Sequence, residues 1–279
     1  MESSIRTVYS AALQTAQLLG LPLVIKPNST LNEKFGIHQN VSIAETDVSA
    51  IRYLTVGNGG HRMVVGADNI SKPEPIQHTP RDAALYNHLP FILRLPHQDL
   101  TPAERMNYRL RRLETHDGTL YVAYYLKVLD LSNTSPQLEL RNVTDGVTTS
   151  TVFNPTAADL NPTPPAINPG GVITTSGDYI AATAKVPFVM STSDIEEFLN
   201  VANIIYGDVN YAMISEIGLC SGVDRVVTGD YNGVSTGYTD AIGVQICSFL
   251  SSFFALNFTN GQVNVDLDIG SLEPLLNLG

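Results

Sequence analysis

The stretch Tyr108–Leu131, YRLRRLETHDGTLYVAYYLKVLDL, restricts the fold more than any other. Asp117-Gly118 stands between two runs of strand-forming residues, and a two-residue hairpin turn needs the positive φ that glycine adopts without steric penalty. The second arm, Leu120–Leu131, is apolar on both alternating faces. Leu120, Val122, Tyr124, Leu126 and Val128 lie on one side, and Tyr121, Ala123, Tyr125, Leu129 and Leu131 on the other. A strand apolar on both sides is a central strand covered twice. The first arm carries Arg109, Arg111 and Arg112, which predicts one wet side. Such a hairpin commits the chain to an antiparallel core. The expected class is mainly β with a few helices (α+β), an antiparallel β-sandwich-like core in one domain of residues 1–279.

Helices are expected in few places. Ile5, Val8, Ala12, Leu18 and Leu19 fall near helical spacing over residues 5–19, before Gly20 and Pro22; this helix packs on its own domain or on a neighbouring subunit. Thr101-Pro102-Ala103-Glu104 reads as a short capped helix, and Asp82–His88 as one or two turns. Ser193-Asp194-Ile195-Glu196 reads as a capping box opening a helix near 193–206, ended by Gly207. Further strands are expected at Ile51–Val56, Met63–Val65, Phe91–Leu95, Gln137–Val143, Tyr179–Val189, Tyr211–Cys220 and Val263–Ile269. Ile242, Ile246, Phe249 and Phe253 are spaced as on a helix, but the β-branched and aromatic content of Ile242–Phe258 favours strand. Thr144–Gly177 reads as a long irregular Pro-rich loop, and Ser221–Asp240 as a Gly/Asp/Asn-rich one. Gly57-Asn58-Gly59-Gly60 lacks a P-loop Lys-Ser/Thr, so a tight turn with several positive-φ residues is expected rather than a phosphate cradle.

Charge narrows the partners. The formal net charge is −11, which repels nucleic-acid backbones and anionic membranes, so neither is expected as a main partner. The cluster Arg105, Arg109, Arg111 and Arg112 is expected to be a solvated strand face. Charged residues make up only 15%, and Ser, Thr and Asn replace them, as in β proteins built into assemblies. Cys220 and Cys247 form no framework; they are expected to be reduced and buried, or to bridge if their strands are neighbours. Glu2 and Arg6 precede a mixed stretch rather than an apolar one, so no signal peptide is read and the acceptor sites at Asn40, Asn69, Asn142 and Asn257 are expected to stay unmodified. Ala241–Phe258 lacks charge, but its serines, Gln245 and Asn257 mark it as sheet core rather than a membrane span.

No stretch announces a reaction. His38, His61, His78, His88, His97 and His116 match no metal-binding spacing, and no G-x-S-x-G elbow occurs. Glu196-Glu197 or Asp266 and Asp268 could serve glycoside cleavage only as a facing pair in a cleft, and the chain has no Trp for a sugar platform. Asp266 and Asp268 fit an edge strand whose charges block unwanted pairing better than a Ca²⁺ site. No catalytic, cofactor or metal residue is expected, and the chain is read as a non-enzyme.

Three groups of segments resemble a family of virion structural proteins of tailed bacteriophages. They are IRYLTVGNGGHRMVVGAD (Ile51–Asp68), QHTPRDAALYNHLPFILR with the following hairpin (Gln77–Leu131), and ISEIGLCSG (Ile214–Gly222) with DIGSLEPLL (Asp268–Leu276). The resemblance implies a particle subunit of the neck or tail–baseplate region. It would assemble in the host bacterial cytoplasm, form a homo-oligomeric ring or collar and bind other neck, tail or baseplate proteins. No site residues carry over. The expected contact regions are the opening helix, the Asn154–Gly171 loop and the Gly270–Gly279 tail, with Leu160, Ile167, Leu275, Leu276 and Leu278. The alternative is a receptor- or carbohydrate-binding module, with Tyr231 and Tyr238 in Ser221–Asp240 shaping a shallow site.

Overall fold

The computed structural model describes residues 3–164, 173–231, 234–256 and 261–278. The chain is mainly β (49% strand, 19% helix), with antiparallel sheets and, among the described residues, five α-helices, an α+β, β-sandwich-like architecture. Where the sequence reads as one domain, the fold divides into two compact units. The first comprises Met1–Leu129 and Val189–Val263, the second Asp130–Phe188 and Asn264–Gly279.

The first unit opens with β1 (Ser3–Arg6) and α1 (Val8–Leu19). The expected helix over 5–19 is therefore shorter: Ile5 and Arg6 pair with Phe249 and Ser248, and Thr7 caps the helix by accepting from the Ser10 N–H. Gly20, at φ 62°, ends it. Then follow α2 (Leu31–Phe35), β2 (Ala50–Gly57), β3 (His61–Val65), β4 (Ser71–Pro75), β5 (His88–Leu89), β6 (Ile92–Arg94) and α3 (Pro102–Arg105). The hairpin is β7 (Tyr108–His116) and β8 (Thr119–Val128), turned by Asp117 at φ 46° and Gly118 at φ 78°. Val122–Leu126 of β8 are buried on both faces, as expected of a central strand. The expected helical turns at Asp82–His88 are absent, because the Tyr86 and Asn87 N–H groups donate to a side chain instead of a preceding carbonyl.

The second unit holds β9 (Gln137–Thr144), β10 (Val147–Val152), the single turn α4 (Ala157–Leu160) and β11 (Ile173–Met190). The expected irregular loop over 144–177 is thus partly a second hairpin, turned by Asp145 at φ 51° and Gly146 at φ 76°. Residues 165–172 lie outside the described residues, so only part of the Asn154–Gly171 loop can be placed.

Back in the first unit, α5 (Thr192–Tyr206) is capped two residues earlier than expected: Ser191 and Asp194, not Ser193 and Glu196, form the capping box. The expected Ser221–Asp240 loop is instead the outer half of a long hairpin, β12 (Met213–Tyr231) and β13 (Val234–Ala255), with Tyr231 opposite Val234. The last strand, β14 (Val263–Leu278), runs through the expected 270–279 tail and lies at one edge of the second unit's sheet.

The eight-stranded sheet of the first unit runs β1-β13-β12-β2-β8-β6, with β5 on β2 and β7 on β8. Its core joins Tyr53, Leu93, Leu126, Ile246 and Phe249 to Leu31 and Phe35 of α2 and Val201 of α5. Cys220 and Cys247 lie on neighbouring strands, yet both are free and buried. No helix among the described residues is long and apolar enough to cross a membrane.

Candidate functional site

The central feature is a carboxylate inside the sheet. Glu216 of β12 is fully buried and accepts four hydrogen bonds. Its Oε1 takes the N–H groups of Gly59 at 3.0 Å and Asn87 at 2.9 Å. Its Oε2 takes the Tyr86 N–H at 2.9 Å and faces His78 Nε2 at 2.8 Å. The His78 ring is sandwiched between Tyr86 and Phe249, with ring centres 4.2 and 3.9 Å away, and its Nδ1 faces Asp82 at 3.3 Å. A buried charge is tolerable only when its acceptors are filled, and here two loops fill them. The segments Ile51–Asp68, Gln77–Leu131 and Ile214–Gly222 therefore meet at one side chain.

This corrects the expectation for Gly57-Asn58-Gly59-Gly60. None of these glycines has positive φ. A Cβ on Gly57 would lie 2.2 Å from Asn87 O, one on Gly59 2.7 Å from Asn87 N, and one on Gly60 2.7 Å from Ser215 O. The glycines are there so that two backbones can approach each other, with the Gly60 N–H also donating to Ser215 Oγ at 3.0 Å.

Around this clip, phenols and guanidinium groups are matched to carboxylates. Tyr53 donates to Asp224, Tyr124 to Asp99 and Tyr125 to Glu114, each at 2.7 Å, and Tyr108 donates to Asp194 at 2.5 Å. Burial first, and the adjoining carboxylate second, hold all four phenols well above the usual tyrosine range, so they act as fixed donors. Asp194 is pulled the other way: burial would raise it, but bonds from Lys127 and Tyr108 outweigh this and lower it.

The expected solvated basic face is likewise corrected. Arg105 and Arg109 are buried. Arg109 grips both oxygens of Asp224 at 2.8 and 3.0 Å and gives Nη1 to the carbonyls of Arg105, Met106 and Tyr108. Arg105 and Arg111 share Asp99. The first arm of the hairpin is dry here because acidic residues from other segments neutralise it. Next to it, buried Asp240 accepts the Leu110 N–H at 2.5 Å and meets His38 Nε2 at 2.9 Å, which holds Leu110 at φ 53°.

His88 is half-buried as a residue, but its ring is enclosed edge-on to Phe35. Nε2 accepts the Leu85 N–H at 3.0 Å, so the proton sits on Nδ1, which donates to Thr55 Oγ1 at 3.1 Å. Burial chiefly, with the charges of Lys34 and His78, lowers its pKa to about 3.

The remaining candidates are scattered. Glu197 pairs with Arg94, while Glu196 is exposed, so the two form no facing pair. Asp266 and Asp268 are exposed on one side of β14. His61 lies edge-on to Phe253, and His116 pairs with Glu114. Among the described residues no three His, Cys, Asp or Glu side chains are grouped to hold a metal. Tyr238 borders a cleft of about 410 Å³ with Arg105, Arg109 and Asp224. Its ring lies against Gly229, where a Cβ would come 2.4 Å from Cε1, and the guanidinium groups of Arg105 and Arg111 sit 5.7 and 5.9 Å from its centre. The side chain of Tyr231 lies outside the described residues.

A family model spans residues 1–279. The chain belongs to DUF7208, a family of unknown function. No curated protein and no solved structure matches it.

Sequence reasoning passed over Glu216, Asp99, Asp224 and Asp240. For Glu216 a signal existed: a lone carboxylate inside the apolar strand run ISEIGLC. An acid in such a run is either an error of assignment or a buried, fully bonded group.

Proposed function

We propose that this chain is a structural subunit of a tailed-phage virion that closes with copies of itself into a ring or collar and binds other neck, tail or baseplate proteins. The observation that carries the reading is the surface of α1. Only Ser10 and Leu13 of this helix are buried, whereas Val8, Leu18 and Leu19 are 54%, 78% and 64% exposed, followed by exposed Leu21 and Val24. A helix this apolar and this exposed fits a partner's surface. In the second unit, exposed Leu138 and Leu140 stand opposite Ala182 and Ile180 in register, a second apolar strip of the same kind. The buried acids and bases are consumed in holding loops to the sheet, which suits a rigid building block, and a net charge of −11 suits a part that does not hold packaged DNA.

Native mass spectrometry and electron microscopy of the purified chain test this. Closed rings are expected, and Leu18→Ser with Leu19→Ser is expected to give folded monomers, since each leucine contributes about 1.5–3 kcal/mol when buried at an interface. A wild-type chain that stays monomeric, or a double variant that still closes, refutes it. The second reading, a receptor- or carbohydrate-binding module, rests on the Tyr238 cleft. One face of that ring already covers Gly229, which weakens it as a sugar platform.

A further inference from the structure

The sheet of the second unit ends in two edge strands, β10 and β14. They are built differently. β14 carries Asp266, Asp268, Glu273 and Pro274, the charges and the missing N–H that keep other strands off an edge. β10, VTTSTV, has no charge, no proline and no glycine; its six residues are all exposed, and it pairs with β9 without a register shift. Among the described residues no strand lies on its outer side.

Register fixes which backbone groups that side presents. Phe153, next in line after Val152, gives its N–H to the Leu138 carbonyl at 2.9 Å. Hydrogen-bonded pairs alternate along an antiparallel ladder, so Thr151–Leu140, Thr149–Asn142 and Val147–Thr144 bond inward. Thr148, Ser150 and Val152 therefore aim their N–H and C=O groups away from β9.

We propose that β10 pairs antiparallel with β10 of a second copy of this chain, about a two-fold axis at Ser150. Thr148 then faces Val152 of the partner subunit, Ser150 faces its own counterpart, and every outward group is bonded. Sliding by two residues carries Thr148 or Val152 past the end of the facing strand, so this register is the best matched. Only uncharged side chains meet. A charge at position 150 would meet its like across the axis, and that position holds serine. On β9 behind it, Glu139 and Arg141 neutralise each other. On the opposite face Val147 meets Phe153 of the partner subunit, beside the exposed Leu138 and Leu140. The contact goes beyond the ring reading: a two-fold interface closes at two copies and cannot itself be the ring contact.

A six-residue strand buries far less than a standard interface, so the pair forms only in concentrated solution, above the range of native mass spectrometry. The test is amide exchange by NMR on the full chain carrying Leu18→Ser and Leu19→Ser, dilute and concentrated. The amides of Thr148, Ser150 and Val152 are expected to exchange freely when dilute and to slow about tenfold or more when concentrated, with Thr149 and Thr151 slow in both. Sedimentation equilibrium is expected to show a reversible dimer that Ser150→Lys or Ser150→Pro weakens about tenfold or more, each leaving the β9 ladder whole because position 150 bonds outward. Ser150→Cys is expected to cross-link under mild oxidation and Thr148→Cys not, since only position 150 lies opposite itself. Outward amides already slow in dilute solution would mean that this chain's own residues cover β10, and overturn the proposal. No dimer, a dimer indifferent to Ser150→Lys, or equal cross-linking at 148 and 150 overturns it too. Rings from the unaltered chain without these signs refute this contact and leave the ring reading standing; these signs without rings do the reverse. Should neither position-150 variant fold, the exchange pattern decides alone.

Discussion

Replacing Glu216 by glutamine probes the clip with no change of shape. The amide has one acceptor oxygen where the carboxylate has two. With that oxygen toward Gly59 and Asn87, both of their N–H groups keep a partner, and the NH₂ then confronts the Tyr86 N–H and His78. The reverse orientation sets the NH₂ against two backbone donors and is worse. One buried donor left unpaired costs about 1–3 kcal/mol, and two surviving bonds lose charge assistance at about 1 kcal/mol each. The sum, about 3–5 kcal/mol, is a large part of the roughly 5–15 kcal/mol that holds a domain. For a unit of about 200 residues each kcal/mol moves Tm by about 2–4 °C, which predicts a fall of about 6–20 °C by scanning calorimetry. Amide exchange should accelerate first at Gly59, Tyr86 and Asn87. Glu196→Gln, at an exposed carboxylate, is the control and should change stability by less than about 0.5 kcal/mol. A Glu216→Gln variant within about 2 °C of wild type, with unchanged exchange at those amides, would refute the reasoning.

Other outcomes follow from the same geometry. Gly60→Ala forces a methyl group against the Ser215 carbonyl and should destabilise by about 1–3 kcal/mol in urea unfolding, whereas Gly237→Ala, whose nearest neighbour is 3.5 Å away, should be tolerated. His88, with its folded pKa lowered to about 3 from 6.5, stays neutral in the fold while the unfolded chain takes up a proton below 6.5. Stability should therefore be level above that pH and fall as pH drops through the window, by at most about 1.4 kcal/mol per unit; equal slopes in wild type and His88→Gln would rule this out. Burial raises the thiols of Cys220 and Cys247, so a thiol reagent should label neither in the native protein and both in denaturant; rapid native labelling would contradict their placement.

Local chemistry was readable in the chain. Asp117-Gly118 predicts its hairpin because the turn needs positive φ at both positions, and the same pair at Asp145-Gly146 carried an equal but unused signal inside the supposed irregular loop. Alternation predicts β8 as a covered strand, and Thr101 to Glu104 its capping box, since both depend on neighbours a few residues apart. The sequence predicts too long a first helix because Ile5 has helical spacing with Val8, while its backbone is bonded to β13 more than two hundred residues away. Ser221–Asp240 looked like a loop because glycines and aspartates lower strand propensity, and pairing along the whole hairpin overrides that.

What the sequence alone determined, then, is the antiparallel, mostly β character of the protein and most of its turns and caps, because those rest on the φ preferences and side-chain periods of adjacent residues. The tertiary structure alone decided that Arg105, Arg109 and Arg111 are neutralised rather than wet, that the glycine loop is shaped by close approach rather than by φ, and that Glu216 ties two loops to a strand. Partner identity between residues such as His78 and Glu216 depends on sheet order and register, and no local period in the chain records it.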